Sequence, residues 1–138
     1  MSSVAYRRFD DDWTSVEAFL SSHGEPSEHA RAVFVHEEVE AWLAFDEDEL
    51  VGWILTHPGR SDDGVQRGFV EDVVVARSHR GHGIARRLME LAEAHYRERG
   101  FAGMQLTVRA DNAPALRLYA SLGYTTVQQR LRMWKQFS

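Results

Sequence analysis

The alternation of apolar and polar positions divides the chain into short segments of two kinds. Runs of strand length that alternate or are continuously apolar predict β-strands over residues 4–9, 39–45, 50–57, 68–76 and 101–108. Apolar residues at three- and four-residue steps predict helices over residues 14–24, 26–36, 84–99 and 112–123. Residues 124–137 alternate again and predict a last long strand or a hairpin. The predicted order is β-α-(α)-β-β-β-α-β-α-β.

Short polar segments indicate how these elements are joined. The acidic turn 46–49 between two apolar strands predicts an antiparallel hairpin, and Pro58-Gly59 predicts a loop after it. Thr14 and Glu17 have the spacing of a capping box, and Asn112 predicts the start of the last helix. Antiparallel strands followed by β-α-β-α-β predict an α/β (α+β) fold with a mixed, mostly antiparallel central sheet flanked by helices.

The composition agrees with one folded domain. The chain has 138 residues, 43% of them hydrophobic, so we expect a single domain over residues 1–138. It has no cysteine, which excludes disulfides, thiolate nucleophiles and cysteine-built metal sites. The apolar runs are too short for a bilayer, and the first residues lack the apolar stretch of a signal peptide. A soluble, cytoplasmic protein is therefore expected.

Charge is distributed unevenly along the chain. The net charge of −5 combines 17 acids and 5 arginines in residues 1–72 with 4 acids, 10 arginines and one lysine in residues 73–138. The two halves therefore carry −12 and +7. The negative total disfavours general nucleic-acid binding, whereas the basic half can hold a compact polyanion.

The basic half contains a loop with two glycines between a buried strand and a helix. Residues 77–87 hold four arginines and two histidines but no acid, and Gly81 and Gly83 precede a helix that begins at Ile84. The N–H groups at a helix start have no partner within the helix, and glycine lets an anion approach them closely. We predict a phosphate site here; the alternative is a solvated basic helix start.

Two common phosphate motifs do not fit this loop. The dinucleotide fingerprint needs a third small residue where Arg86 stands, and the Gly-Lys-Ser/Thr of the P-loop is absent. The loop resembles instead the acyl-CoA loop of the GNAT N-acetyltransferase family, whose pattern is Arg/Gln-x-x-Gly-x-Gly/Ala after a strand that ends in valine. The matching residues are Arg80-Gly81-His82-Gly83-Ile84-Ala85, preceded by Val73-Val74-Val75.

A second segment resembles the same family. It has the strand–Asn–helix–Tyr–x–x–x–Gly–aromatic pattern, with Asn112, Tyr119 and Gly123-Tyr124 in the matching places. The two motifs occur in the family's order. The resemblance covers residues 37–138 well, while residues 1–36 are compatible with it without being diagnostic.

The resemblance implies a site for acetyl-CoA as co-substrate and no metal. The pyrophosphate would lie on the N–H groups of residues 81–86, with added charge from Arg80 or Arg86. The pantetheine arm would pair with Val73 and Val75 where their strand separates from residues 106–108, and an N–H of that strand would polarise the thioester carbonyl. The residues so implied in cofactor binding are Val73, Val74, Val75, Arg80, Gly81, His82, Gly83, Ile84, Ala85, Arg86 and Asn112. Tyr119 would protonate the departing CoA thiolate.

Some of these residues have purely structural alternatives. Asn112 is a suitable helix N-cap with or without a cofactor, and Tyr119 can serve packing alone. His79 and His82 flank the loop and are expected to be exposed on its phosphate side rather than to bind a metal, because no His-x-x-x-His pair exists.

The acceptor amine must be neutral to attack, so a base is needed. Some members of the family use a glutamate at the position of Thr107, and others use an acid on the central strand, where Glu71 and Asp72 stand side by side. Alternate residues of a regular strand face opposite sides, although a bulge changes this. We predict that Glu71 is the base, because in a regular strand it lies on the same face as Val73 and Val75. The alternative is that both acids are structural.

In this family the acceptor enters from the side built by the N-terminal helices and the first hairpin, which is the acidic half here. Acids at 37, 38, 40 and 46–49 would favour a cationic amine such as a polyamine, an aminoglycoside or a basic peptide, unless they only solvate the surface. Trp13, Phe34, Trp42 and Trp53 are candidates for an apolar acceptor pocket or for the core. The family also suggests a homodimer.

Three functions are compatible with these observations. The first is acetyl-CoA-dependent N-acetylation of a primary amine by direct attack in a ternary complex, since the absence of cysteine argues against an acyl-cysteine intermediate. The missing glutamate at 107 motivates the second, a non-catalytic acyl-CoA-binding or sensing module. The third is a nucleotide-binding regulator, but no base-stacking or groove-reading motif accompanies the arginines.

Overall fold

The structure is a computed structural model that describes residues 3–25, 27–36 and 38–138. The chain divides after Thr107 into two compact units, the second of which is Val108–Ser138. The helices and strands, in chain order, are β1 (Val4–Arg8), α1 (Trp13–Ser22), α2 (Ser27–His36), β2 (Glu40–Asp46), β3 (Glu49–Arg60), β4 (Gln66–Val75), a 3₁₀ turn (Arg77–His79), α3 (Ile84–Glu98), β5 (Gly103–Leu106) and α4 (Ala113–Ser121). Only α4 belongs to the second unit.

The five strands form one mixed sheet in the order β1-β2-β3-β4-β5. The first three pairs are antiparallel, and β4 with β5 is parallel because α3 carries the chain back across the sheet. This confirms the predicted fold class and the order of the elements as far as α4. None of the helices in the described ranges has the length and apolar character needed to cross a bilayer.

The two faces of the sheet are covered by different helices. On one face, α3 lies so close that a Cβ on Gly68 would be 2.6 Å from Cδ2 of Tyr96. On the other face, Trp53 of β3 contacts the rings of Phe9 and Phe34, with centroids 5.7 and 6.2 Å apart. The apolar side chains in the middle of β2 and β3 are buried, and they form most of the core of the sheet.

Two local predictions were wrong. Thr14 and Glu17 do not form the predicted capping box: α1 begins at Trp13, and its N-cap is Asp12, whose Oδ1 accepts a hydrogen bond from the Ser15 N–H at 3.2 Å. The predicted loop at Pro58-Gly59 belongs to β3. Past Thr56, which is paired with Glu40 of β2, β3 is paired within the described part of the chain with β4 alone, and a proline is tolerated on such an edge.

The predicted last strand is also absent. Residues 124–138 form no helix or strand, and the large apolar side chains of this segment are 77–90% exposed: Val127, Leu131, Met133, Trp134 and Phe137. Alternation describes side chains, but a strand also needs a hydrogen-bonded neighbour. The second unit contains no other strand to supply one.

Candidate acetyl-CoA and acceptor site

The loop before α3 has the backbone conformation that only glycine adopts easily. Gly81 and Gly83 have φ of +80° and +81°, and a Cβ at either position would meet nothing within 4 Å. The requirement for glycine therefore comes from the left-handed backbone and not from crowding by the protein. Gly83 is the N-cap of α3 and provides no side-chain hydrogen bond to the first turn. The helix start is thus suited to an anion.

The side chains around this loop differ in their exposure. Gly81, His82 and Gly83 are exposed, whereas Ile84 is buried against the sheet and offers the loop only its N–H group. Ala85 and Arg86 are half-buried. The Arg80 Nε–H donates to the Val75 carbonyl at 3.2 Å, so this exposed guanidinium lies at the end of β4.

His79 does not lie on the exposed phosphate side. Its Nε2 is 2.8 Å from Oδ2 of Asp46 and both side chains are largely buried, so the pair joins the loop to the end of β2. His82 is exposed and its Nδ1 donates to the His79 carbonyl at 3.1 Å. No group of three or more metal-ligating side chains occurs among the described residues.

Strand β4 runs past its parallel neighbour before it reaches the loop. The last pair between β4 and β5 is Val70 with Leu106, while β4 continues to Val75. Its other edge stays paired with β3, including Ile54 with Val73. The Val74 side chain is buried, and those of Val73 and Val75 are half-buried. Beyond Val70, β4 is therefore no longer paired with β5, and the place of the pantetheine arm along this edge stays a prediction.

Glu71 occupies a bulge in β4. Leu55 is paired with Asp72 and Thr56 with Val70, so Glu71 is an extra residue on its strand. Both acids then stand opposite Leu55. The strict alternation of sides along the strand is interrupted at the bulge, so it no longer places Glu71 on the same face as Val73. The choice of Glu71 as the base stays a prediction, but the argument for it from alternation does not hold.

A small cavity lies beside Glu71, where β4 and β5 separate. Its volume is about 140 Å³, and it is lined by Phe69, Val70, Glu71, Gln105, Leu106 and Thr107. Glu71 of β4 and Thr107, which follows β5, are two of the three positions considered for the base, and both line this cavity. Gln105 was not predicted, because the sequence does not show which residues of β5 stand beside the bulge.

The carboxylate of Glu71 has a partner that the sequence analysis missed. His57 of β3 places Nε2 at 2.5 Å from Oε1 of Glu71, and its ring stacks on Phe69. In the sequence, His57 only ends an apolar run. The contact requires the register of β3 against β4, which the bulge shifts.

Comparison with known proteins identifies the family. A sequence model of the Acetyltransferase (GNAT) family matches residues 5–124 of the chain. This chain belongs to the GNAT acetyltransferase family. It is 35% identical over 89 residues to streptothricin acetyltransferase of Escherichia coli, covering 64% of this chain and 49% of that protein. It is 33% identical over 140 residues to mycothiol acetyltransferase of Rhodococcus opacus, covering 90% and 45%. The GNAT chain spans about half the length of these curated relatives.

Solved structures show the same fold. A ribosomal-protein-alanine N-acetyltransferase from Brucella melitensis biovar Abortus has a TM-score of 0.79 and 20% identity, covering 97% of this chain and all of that one. An aminoglycoside acetyltransferase from an uncultured soil metagenomic sample has a TM-score of 0.76 and 17% identity, covering 98% and 97%. The mixed sheet described above is therefore the GNAT fold.

The four aromatic residues considered for an acceptor pocket do not lie together in one pocket of this chain. Trp42 is buried near α3, where its ring lies 5.4 Å from that of His95. Trp13 and Phe34 pack edge to face at 4.9 Å, next to Trp53 on the other side of the sheet. Trp42 and Trp53 are core residues, and a pocket that contains all four aromatic side chains is excluded.

Three of the acids predicted to attract a cation form ion pairs: the exposed Glu38, which lies 3.7 Å from Nη2 of Arg99, and the largely buried Glu40 and Asp46. Glu40, whose side chain is 12% exposed, pairs with Arg8 and lies 3.4 Å from Nη1 of Arg99. Asp46 pairs with His79, as described above. Glu38 and residues 47–49 are exposed, and Glu37 lies outside the described residues. The acidic surface of this half is therefore smaller than its sequence indicates.

The second unit holds the other two candidate residues. Oδ1 of Asn112 accepts a hydrogen bond from the Ala115 N–H at 3.2 Å, so Asn112 is the N-cap of α4. Tyr119 is half-buried on α4, and its ring lies 5.9 Å from that of Tyr124. A contact of Asn112 with the pantetheine arm and an acid role of Tyr119 stay predictions.

Proposed function

We propose that this chain is an acetyl-CoA-dependent N-acetyltransferase in which a primary amine of a small molecule or peptide attacks directly in a ternary complex. The observation that carries the proposal is the course of β4. This strand passes Glu71 at the cavity, continues beyond its last pair with β5, and leads into the two-glycine start of α3. Acetyl-CoA has its thioester, its extended pantetheine arm and its pyrophosphate in the same order. The cavity would take the thioester, the stretch of β4 beyond β5 the arm, and the start of α3 the pyrophosphate.

The residues present fit acetyl-CoA. Acetyl-CoA supplies an acetyl group activated as a thioester. The first-turn N–H groups of α3 and the charge of Arg80 and Arg86 suit its pyrophosphate. The edge of β4 at Val73 and Val75 suits the arm, because an extended chain adds to a strand edge through main-chain hydrogen bonds.

Glu71 and Tyr119 are proposed as base and acid. Glu71 accepts a proton from the amine while the new N–C bond forms and the C–S bond breaks, and Tyr119 gives its proton to the leaving thiolate. The position of Glu71 on the cavity wall supports its role. Its side chain is 31% exposed, so the carboxylate is accessible from solvent.

Free-thiol release from acetyl-CoA tests the activity with a panel of amines: spermidine, an aminoglycoside and a lysine-containing peptide. For an active amine, Glu71→Gln is expected to lower kcat about 100- to 10,000-fold, the usual contribution of a general base. Glu90→Gln, exposed on α3, is the matched control and should not change kcat. If no amine supports turnover, the proposal fails; if an amine is acetylated but Tyr119→Phe leaves kcat unchanged, the acid role of Tyr119 fails.

A non-catalytic acyl-CoA-binding module is the alternative, and Thr107 is the observation that favours it. Calorimetry that shows tight binding of acetyl-CoA, together with no acetyl transfer to the panel, would support this alternative. The presence of Glu71 on the same cavity as Thr107 favours catalysis, because the cavity already contains a carboxylate.

The acceptor is proposed to be an amine. The relatives named above include a streptothricin acetyltransferase and, by fold, an aminoglycoside acetyltransferase. A cationic acceptor stays a proposal, which the panel tests by comparing amines of different charge. A homodimer also stays a proposal, and light scattering of the purified chain tests it.

A further inference from the structure

His57 is held between an aromatic ring and a carboxylate. Its ring stacks on that of Phe69, with centroids 5.3 Å apart and planes 8° apart. Its Nε2 lies 2.5 Å from Oε1 of Glu71, and its side chain is 14% exposed. These contacts restrict the ring to an orientation in which Nε2 points at the carboxylate proposed above as the base.

The hydrogen bonds of His57 decide which proton states suit this pair. Nδ1 lies 3.1 Å from the carbonyl oxygen of Pro58, which can only accept. An imidazolium donates to both the carbonyl and Glu71. A neutral ring with its proton on Nε2 donates to Glu71 but sets the lone pair of Nδ1 against the Pro58 carbonyl, and a proton on Nδ1 sets the lone pair of Nε2 against the carboxylate. Only the imidazolium satisfies both acceptors, and both states with a proton on Nε2 give Oε1 of Glu71 a hydrogen bond.

We propose that His57 is a positioning residue for acetyl transfer, which holds one oxygen of Glu71 so that the other takes the proton of the acceptor amine. This inference rests on the proposed function. The proton passes from the amine to Oε2 as the N–C bond forms and the C–S bond breaks, while Nε2 keeps its own proton. A carboxylate held at one oxygen spends more time in the productive orientation.

His57→Ala tests the role directly. We expect kcat to fall about ten- to a hundredfold, the range for a lost hydrogen bond to a charged group. KM for acetyl-CoA should stay within about twofold, because His57 lies away from the glycine loop. His95→Gln is the matched control, because His95 is also a largely buried histidine beside a glutamate, Glu40. His95 is itself a residue of α3, away from the cavity beside Glu71, so His95→Gln should keep the wild-type kcat at pH 7.5.

Two further variants keep the test decisive if His57→Ala does not fold. His57→Gln can place an N–H donor near the position of Nε2, whereas His57→Asn has similar polarity but a shorter reach. We expect His57→Gln to recover most of the activity and His57→Asn to recover little. Equal activities of the two variants would overturn the inference, because a general need for a polar residue does not depend on reach.

A double-mutant cycle separates action through Glu71 from an independent effect. In the Glu71→Gln background, His57→Ala should lower kcat no further, since the group that it positions is gone. Wild-type kcat in His57→Ala, or a loss that multiplies fully in the Glu71→Gln background, would overturn this inference alone. A wild-type protein that turns over none of the panel amines would instead refute the proposed function.

Discussion

The left-handed backbone at Gly83 allows the cost of strain to be separated from a loss of acetyl-CoA binding. Its φ is +81°, and a Cβ there would meet nothing within 4 Å. Gly83→Ala therefore adds no clash and should cost only the left-handed penalty, about 1–2 kcal/mol of unfolding free energy. For a domain of this length, that corresponds to a fall in Tm of roughly 3–6 °C.

Gly64 provides a matched control for this substitution. Its φ is +79°, a Cβ there also meets nothing within 4 Å, and it lies in the turn between β3 and β4. Gly64→Ala should therefore lower Tm by a similar amount. Only Gly83→Ala places a methyl group at the start of α3, where it would separate the N–H groups from the pyrophosphate. We expect its Kd for acetyl-CoA to rise about ten- to a hundredfold, as charge-assisted hydrogen bonds are lost.

The assay combines thermal unfolding by circular dichroism without ligand and calorimetric titration with acetyl-CoA. Similar falls in Tm for Gly83→Ala and Gly64→Ala, with weaker binding only for Gly83→Ala, are the expected result. Unchanged binding by Gly83→Ala would refute a phosphate site on this helix start. A much larger fall in Tm for Gly83→Ala than for Gly64→Ala would refute the strain argument.

Two further predictions concern the face of the sheet covered by α3. Gly68→Ala would place a Cβ 2.6 Å from the buried ring of Tyr96 and should cost about 1–3 kcal/mol, measured by urea unfolding. Burial, and then the charges of Arg8 and Arg99, lower the pKa of His95 from 6.5. The unfolded chain thus binds its proton first, so stability should fall as the pH drops below about 6.5. His95→Gln should make the unfolding free energy less dependent on pH in this range; an unchanged dependence would contradict the assignment.

The parts of the site that depend on local signals were predictable from the sequence. The glycines before Ile84, the apolar stripe of α3 and the cap at Asn112 all act within a few residues of the chain, and the structure places them as predicted. Strand–helix–strand order then follows from the known rules of connection. These features depend little on the exact register of the sheet.

The pair of His57 and Glu71 was not predictable, because it depends on register. The β2–β3 pairing shifts between Ala44 and Phe45, and the β3–β4 pairing shifts between Leu55 and Thr56. Each bulge changes which residues stand opposite each other on all later pairs. A sequence with no visible signal for the bulges therefore cannot show which histidine meets which carboxylate.

The net charge of the acidic half of the sequence also overstates the electrostatic attraction that its turn acids exert on an acceptor amine. The exposed acids of the turn include Glu49, which begins β3, whereas His57 lies eight residues further along that strand. At about 3.3 Å per residue this separation is roughly 26 Å. Exposed charges are screened over a Debye length of about 8 Å at physiological ionic strength. The acidic turn therefore acts only weakly on an amine beside Glu71.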